Sequence, residues 1–169
     1  ALALYHALVK AVPTSSAGYY RLARHHREQG QRKHAERYYR KTIDIARTLR
    51  PLLELAFLFE EQKRRTDAIN LYREAFELAP ASAEIVLKLV ALDPKLHRAR
   101  YYLGATYAAL KAYPRAIQVL ALVPEGSSVY PDARTHIGYV HREAGQFADA
   151  QRILEGVIKQ TPKNVTAQD

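Results

Sequence analysis

Residues 132–162, DARTHIGYVHREAGQFADAQRILEGVIKQTP, have the pattern of two helices joined by a tight turn. Gly145 stands where the first helix should end, since glycine tolerates the positive φ that closes a helix. Pro162 ends the second, because proline cannot continue one. The first helix places Ile137, Gly138 and His141 on one face. The second has an apolar stripe at steps of three and four residues, formed by Phe147, Ala150, Leu154 and Val157. A single hairpin cannot bury its own apolar faces, so it needs neighbours.

The same hairpin pattern occurs several times along the chain. A small residue in each second helix marks the copies, which are Ala1, Ala35, Ala68, Ala116 and Ala150. Successive markers are separated by 34, 33, 48 and 34 residues. Aromatic residues and a proline recur at matching offsets from these alanines, as Tyr72 and Pro80 do in the third copy. A repeated unit of about 34 residues therefore organises the sequence.

This pattern resembles the tetratricopeptide repeat family, whose unit is a helix–turn–helix of about 34 residues. The resemblance covers nearly the whole chain, and it is specific because small, aromatic and proline positions recur together. It implies an all-α fold: a right-handed superhelical stack of antiparallel helix pairs, with about four repeats plus partial units. Pentatricopeptide and HAT repeats fit the period and the pairing of alanine with proline less well.

The repeat pattern also predicts where helices and domains lie. Helices are expected at 1–12, from the Ser15 region to about 29, and at 32–49, 50–62, 66–79, 95–111 and 113–123, besides the last hairpin. The whole chain, 1–169, is predicted to form one tetratricopeptide domain. Because it starts and stops within repeats, we interpret it as a segment of a longer array.

One segment breaks the period. Residues 81–92 have the composition of a short apolar helix, which resembles the end of a second helix without a first helix before it. Two explanations remain open. Either the stack is interrupted by an irregular helix at 81–92, which gives blocks 1–80 and 95–169, or a first helix is missing from the sequence near 81–87.

Composition limits the class of protein. The chain has 169 residues, of which 48% are hydrophobic and 25% charged, as in a globular protein rather than a disordered one. The absence of cysteine excludes disulfides, thiolate metal sites and a cysteine nucleophile. No apolar run is long enough to span a bilayer, so direct membrane insertion is not expected. Cytoplasmic and periplasmic locations are both compatible with these features, and localisation stays undecided.

Nothing in the sequence predicts catalysis. The seven histidines include no pair at i, i+3 or i, i+4, the spacing that places two imidazoles on one helix face for zinc. Phosphate-binding glycine loops, HExxH, GxSxG and paired catalytic carboxylates are missing as well. We therefore predict a protein that is not an enzyme, without catalytic residues, metal or cofactor.

The resemblance implies where a partner binds. In tetratricopeptide arrays the first helices of successive hairpins line a concave groove that receives an extended peptide or a helix. We therefore predict a protein–protein interaction scaffold, with tyrosine and arginine as its anchoring residue types. The candidate groove residues are Tyr20, Arg21, Arg24, Arg27, Leu53, Phe57, Arg98, Tyr101, Tyr102, His136, Tyr139 and Arg142. The alternative for the tyrosines of the last two hairpins is packing against neighbouring helices.

Charge narrows the choice of partner. The chain has a net charge of +9, and residues 21–50 hold ten Lys or Arg against three acidic residues, a net +7. This excess is compatible with an acidic protein partner. It does not fit the chaperone-binding subtype of the family, which grips a C-terminal carboxylate with Lys and Asn. Both asparagines are absent here, and Glu54 would repel a carboxylate.

Two further expectations concern partners. Binding of nucleic acid or another polyanion through residues 21–50 is the alternative function, but Arg32, Arg37, Arg40 and Lys41 fall on a second helix, so the charge surrounds the hairpin instead of forming a track.

Weak self-association is expected because apolar residues at the two ends would lack a covering repeat. These residues are Leu2, Leu4, Leu8, Ile153 and Val157.

Overall fold

The computed structural model describes residues 2–160, and this range contains helices, turns and short loops without a strand. The prediction of an all-α fold is confirmed. The ten helices of this range are α1 Leu2–Ala11, α2 Ser16–Glu28, α3 Arg32–Ile45, α4 Leu49–Glu61, α5 Arg65–Leu78, α6 Ala83–Leu92, α7 His97–Ala109, α8 Tyr113–Ala121, α9 Tyr130–Glu143 and α10 Phe147–Gln160. None of them is long and apolar enough to cross a membrane.

Four connections are the same tight turn. In each, one residue after the helix has a left-handed φ between 57° and 77°; these residues are Gly30, Lys63, Lys111 and Gly145. The next residue donates its amide to a carbonyl five positions earlier, as Gln31 does to His26 and Gln146 does to His141, both at 2.8 Å. The left-handed residue also donates its amide to a carbonyl three positions earlier, as Gly30 does to Arg27 at 2.9 Å. The two hydrogen bonds together form the Schellman motif that ends a helix. The predicted turn at Gly145 is confirmed.

The chain divides after Leu92 into two compact units. In unit 1, α1 to α6 pack in sequence, each against the next. In unit 2, α7 to α10 do the same, and α7 also contacts α9. Short turns make the helices of the hairpins α2–α3, α4–α5, α7–α8 and α9–α10 antiparallel. The predicted single domain and the blocks 1–80 and 95–169 stay predictions, although the contacts place α6 with unit 1.

Small residues set the distance between paired helices, as the sequence predicted. Ala116 and Ala150 are buried, and the neighbouring helix approaches each paired glycine closely. A Cβ added to Gly104 would lie 2.4 Å from Cγ of Leu120, and one on Gly138 would lie 2.7 Å from Cγ of Leu154. In unit 1 the matching positions hold alanines that are fully buried, which are Ala23, Ala35, Ala56 and Ala68.

Residues 46–48 interrupt a segment that the sequence predicted to be nearly continuous helix. The predicted helix 32–49 is too long, since α3 ends at Ile45 and Ala46 is extended, with φ −146° and ψ 103°. Helix α4 then begins at Leu49, with Pro51 in its first turn, where the missing N–H of proline costs little. The extended residues let the chain reverse so that α4 can pack against α3. The periodicity of the side chains alone does not predict this break between the two helices.

Helix α6 lies in the position of a first helix. It packs against α5, and Nζ of Lys88 is 3.0 Å from the Glu60 carboxylate on α4. Its inner face, Ile85, Val86 and Leu89, is fully buried. The comparison of residues 81–92 with the end of a second helix is therefore wrong. Helix α6 continues the alternation of first and second helices within unit 1.

The apolar end residues differ in exposure. Leu4 is 69% exposed and Leu8 is 37% exposed, as expected, and Leu2 and Val157 are half-buried. Ile153 was expected at the surface but is buried in the core of unit 2, with Leu120, Val123, Ala133 and Ile137. It packs there with Leu120 of α8 and with Ala133 and Ile137 of α9. Ile158, also near this end, is 69% exposed.

Candidate protein-binding surface

The first-helix face of unit 1 consists of α2, α4 and α6 side by side. Three side-chain contacts between these helices define it. Tyr20 on α2 donates its hydroxyl to Oε1 of Glu54 on α4 at 2.5 Å. Arg27 on α2 lies 3.7 Å from Glu61 on α4. On the other side of α4, Lys88 of α6 pairs with Glu60. The face therefore runs across three helices, with α4 in the middle.

Glu54 is the acceptor at the centre of the α2–α4 half. Tyr39 on α3 donates to its Oε2 at 2.5 Å, while Tyr20 occupies Oε1 and Nε of Arg50 is 3.5 Å away. The pKa of both Tyr20 and Tyr39 is raised, mainly by burial and secondly by the hydrogen bond to Glu54. Both phenols therefore stay protonated and act as donors. The expectation that Glu54 repels a carboxylate stays a prediction, and these donors were not part of it. They hold its charge inside a network of hydrogen bonds.

Glu60 has the corresponding role in the α4–α6 half. The Tyr72 hydroxyl on α5 donates to Oε1 of Glu60, and Lys88 binds both carboxylate oxygens at 3.0 Å. Burial and then the bond to Glu60 raise the pKa of Tyr72. Tyr39 and Tyr72 lie 33 residues apart at equivalent repeat positions. Tyr39 donates to the helix that follows it and Tyr72 to the helix that precedes it, so both phenols support α4.

Phe57 forms the apolar centre of the face. Its side chain is 40% exposed although it lies between two cations. The Cζ atom of Arg27 is 4.9 Å from the ring centroid, and Nζ of Lys88 is 5.7 Å from it. Leu53, one turn earlier on α4, is half-buried. An apolar side chain of a partner can cover the ring while its acidic neighbours meet the cations.

A cavity of about 500 Å³, which we call the arginine cavity, lies at the α2 end of the face. Arg21, Arg24 and Arg50 line it together with Tyr5, Ala17, Tyr20, His25 and Glu28. Arg24 and Arg50 are exposed at the side chain, by 48% and 73%. Arg24 makes one loose ion pair with Glu28 at 3.4 Å. The sequence prediction included Arg21 and Arg24 but not Arg50, which reaches the site only because α4 packs beside α2.

The candidate residues of unit 2 separate into two groups. Tyr101 is half-buried and packs on the unit 2 core. Its ring contacts those of Tyr102 and His136 edge-on, with ring centroids 5.4 and 5.8 Å apart. Burial raises the pKa of Tyr101 and lowers that of His136. By contrast, Tyr139 is 46% exposed, with Arg142 5.2 Å from its ring centroid. The packing alternative therefore describes Tyr101, whereas Tyr139, Arg142 and Arg98 lie exposed at the surface.

The second-helix side of unit 1 carries a separate group of cations. Lys33, Arg37 and Lys41 follow one another at four-residue steps on α3 and are exposed. Within residues 2–160 none of the three has an acidic partner in an ion pair. The charge of residues 21–50 thus lies on both layers of unit 1. In the same range, no group of three His, Cys, Asp or Glu is placed to hold a metal ion.

Comparison with known proteins identifies the repeats. Family models described as tetratricopeptide repeat match residues 19–51, which include α2 and α3, and residues 132–164, which include α9 and α10. A search of curated protein sequences found no match.

Three solved structures are similar to this chain over most of its length. YrrB, described as a tetratricopeptide repeat protein with an unusual peptide-binding site, is 14% identical with a TM-score of 0.46, over 95% of this chain and 93% of that one. A tetratricopeptide repeat protein from Parabacteroides merdae is 16% identical with a TM-score of 0.46, over 94% and 72%. MamA from Desulfovibrio magneticus RS-1 is 14% identical with a TM-score of 0.44, over 85% and 93%.

The family models match one hairpin in each unit, α2–α3 and α9–α10. The hairpins α4–α5 and α7–α8 repeat the same turn, with Lys63 and Lys111 in the left-handed position. They also repeat the buried small residue of the second helix, at Ala68 and Ala116. The chain therefore contains tetratricopeptide repeats, which the family models match at residues 19–51 and 132–164.

Proposed function

We propose that this chain is a non-catalytic scaffold that binds an extended, acidic segment of a partner protein across the first-helix face of unit 1. The observation that carries the proposal is Phe57, an exposed aromatic ring between Arg27 and Lys88. Aromatic and arginine side chains are the residue types that anchor protein interfaces. A large apolar side chain left exposed between cations favours a ligand with an apolar residue and nearby carboxylates.

The supporting network keeps the face ready to bind. Glu54 and Glu60 already accept hydrogen bonds from buried tyrosines, and Glu60 and Glu61 hold Lys88 and Arg27 in place. Pre-positioned cations lose less side-chain entropy on binding than mobile ones do. The segment would cross α2, α4 and α6, a distance of about 20 Å at the usual helix spacing, or about six extended residues.

The test is selection of binding peptides from a random-sequence display library, followed by affinity measurement with fluorescent peptides. We expect the selected sequences to combine acidic residues with one aromatic or large aliphatic residue. Phe57→Ala should weaken binding by at least about tenfold, as the loss of a hot-spot residue does. Leu78→Ala is the matched control, because Leu78 is 49% exposed at the end of α5 in the other layer. Equal affinity of both variants, or a library that yields no binder, would contradict the proposal.

The cations of α3 favour a second candidate function, the binding of a polyanion such as nucleic acid. Lys33, Arg37 and Lys41 form an exposed stripe without acidic ion-pair partners within residues 2–160. Binding through three phosphate contacts would make the logarithm of the association constant fall with the logarithm of salt, with a slope of about −2 to −3. Peptide binding centred on Phe57 should depend less on salt. Titration with a single-stranded oligonucleotide at several salt concentrations separates the two functions.

A further inference from the structure

We propose that the arginine cavity binds a phosphoryl group, carried by a phosphorylated residue of the bound segment. This inference rests on the proposed function, since it concerns the same face, and it names the chemical group that the α2 end of the face recognises. Three arginines, Arg21, Arg24 and Arg50, line one cavity of about 500 Å³.

The guanidinium groups come from two helices. Arg21 and Arg24 lie one turn apart on α2 and therefore point to the same side. Arg50 comes from the first turn of α4. Local sequence can thus place two of the three arginines together, and the contact between α2 and α4 adds the third.

Most hydrogen-bond donors of these arginines remain free for a ligand. Arg21 makes no ion pair with any residue from 2 to 160. Arg24 uses one terminal nitrogen, 3.4 Å from Glu28. Arg50 approaches Glu54 through Nε at 3.5 Å, which leaves its two terminal nitrogens. A planar guanidinium presents donors in a fork that matches the oxygens of phosphate.

The charge of the cavity fits a dianion better than a single carboxylate. Its lining combines three arginines with one carboxylate, Glu28, a balance of +2. A phosphorylated side chain carries a charge of about −1.5 to −2 at neutral pH and has three strong acceptor oxygens. A carboxylate has a charge of −1 and is satisfied by one guanidinium fork. Three forks around one cavity therefore favour the phosphoryl group.

Arg27 connects the surroundings of the arginine cavity with Phe57, which links the phosphoryl group to a peptide. A neighbouring cavity of about 320 Å³ shares Arg24, Arg50 and Glu28 with it and is also lined by Arg27. Arg27 in turn lies over the Phe57 ring. One extended segment can therefore place its phosphorylated residue among Arg21, Arg24 and Arg50 and an apolar residue on Phe57.

The test uses three peptide arrays that differ at one fixed position, which is serine, phosphoserine or glutamate, with random residues around it and one phenylalanine or leucine. Purified chain is applied, and affinities of the best sequences are measured in solution. We expect phosphoserine peptides to bind at least about tenfold more tightly than their serine counterparts, and several-fold more tightly than the glutamate ones. Inorganic phosphate and a single-stranded oligonucleotide serve as competitors.

The variants Arg24→Gln and Arg50→Gln should abolish the preference for phosphoserine. Both side chains are exposed, so the fold should be retained. Arg32→Gln on α3 is the control, because it removes the same charge outside the cavity. This variant should keep the preference for phosphoserine. Equal binding of phosphoserine and glutamate peptides, or a preference that survives in Arg24→Gln and Arg50→Gln, would overturn the inference while the proposed function stands.

The competition experiments with inorganic phosphate and the oligonucleotide distinguish the source of the phosphoryl group. If inorganic phosphate competes as well as the phosphopeptide, mole for mole, the cavity binds free phosphate and the inference is wrong. If the oligonucleotide competes best, nucleic acid is the ligand and the inference is again wrong. Failure of all three arrays would instead contradict the proposed function itself.

Discussion

The Nδ1 atom of His26 lies 2.5 Å from Oε1 of Gln31, and the same atoms of His141 and Gln146 are 2.6 Å apart. Each pair spans a hairpin turn in which glycine has positive φ. Because a carboxamide oxygen only accepts, Nδ1 of each histidine donates the proton. The side-chain bond thus reinforces the backbone bond between the same two residues in both units.

The two pairs differ in burial, which gives a matched comparison. His26 is buried, and its Nε2 has no hydrogen-bond partner, whereas the pair at His141 is exposed. Gln31→Ala should lower the free energy of unfolding by about 1–3 kcal/mol, because it leaves a second polar atom of a buried ring unpaired. Gln146→Ala should cost less than about 0.5 kcal/mol. Urea unfolding followed by circular dichroism measures both, and equal losses would contradict the role of burial.

Close packing at Gly138 predicts that Gly138→Ala destabilises unit 2. The new Cβ would lie 2.7 Å from the Leu154 side chain, so that side chain or its helix must shift, at a cost of about 1–3 kcal/mol. Gly156→Ala on α10 is the control, since a Cβ there meets nothing within 4 Å. Removing this helical glycine should raise stability by about 0.5–1 kcal/mol. Thermal unfolding of the two variants should show shifts of opposite sign.

The α6 assignment predicts that this helix is part of the unit 1 core. Leu89→Ala should cost about 2–5 kcal/mol, because Leu89 is fully buried. Leu87→Ala changes the same residue type two positions away, where the side chain is 49% exposed, and should cost less than about 0.5 kcal/mol. Similar unfolding midpoints for both variants would show that α6 does not pack on unit 1.

The buried tyrosines predict a loss of stability in alkali. The pKa of Tyr39 and Tyr72 is raised by burial and by Glu54 and Glu60, relative to a value of 10.0 in the unfolded chain. The folded state therefore keeps protons that the unfolded state releases, so this contribution is complete below pH 10 and decreases as pH rises above it. The double variant Tyr39→Phe/Tyr72→Phe should show a shallower fall. Urea midpoints measured across this pH range test the difference in slope.

Phenolate absorbance gives an independent check on the same tyrosines. Two of the twelve tyrosines, Tyr39 and Tyr72, should ionise only as the chain unfolds. The double variant should lose this late step and keep the earlier ionisation. If the late step persists in the variant, other residues account for it.

The sequence determined the repeat and its packing positions. Ala116, Ala150, Gly104 and Gly138 could be identified because helical periodicity and a recurring small residue are local properties of the chain. The turn at Gly145 was equally predictable, since positive φ favours glycine. Exposure of Arg24 and Phe57 followed from their place on a first helix.

Only the tertiary structure decided what these residues meet. Periodicity does not say which helix lies beside α4. Three contacts were therefore not predictable: the donors to Glu54 and Glu60, the position of Arg50 beside Arg24, and the position of Lys88 over Phe57. For the same reason the sequence pattern wrongly predicts that α6 is the end of a second helix and that Ile153 lies at the surface. Local pattern fixes the face that a helix buries. Contacts between residues distant in sequence depend on how helices pack, and these contacts form the candidate site.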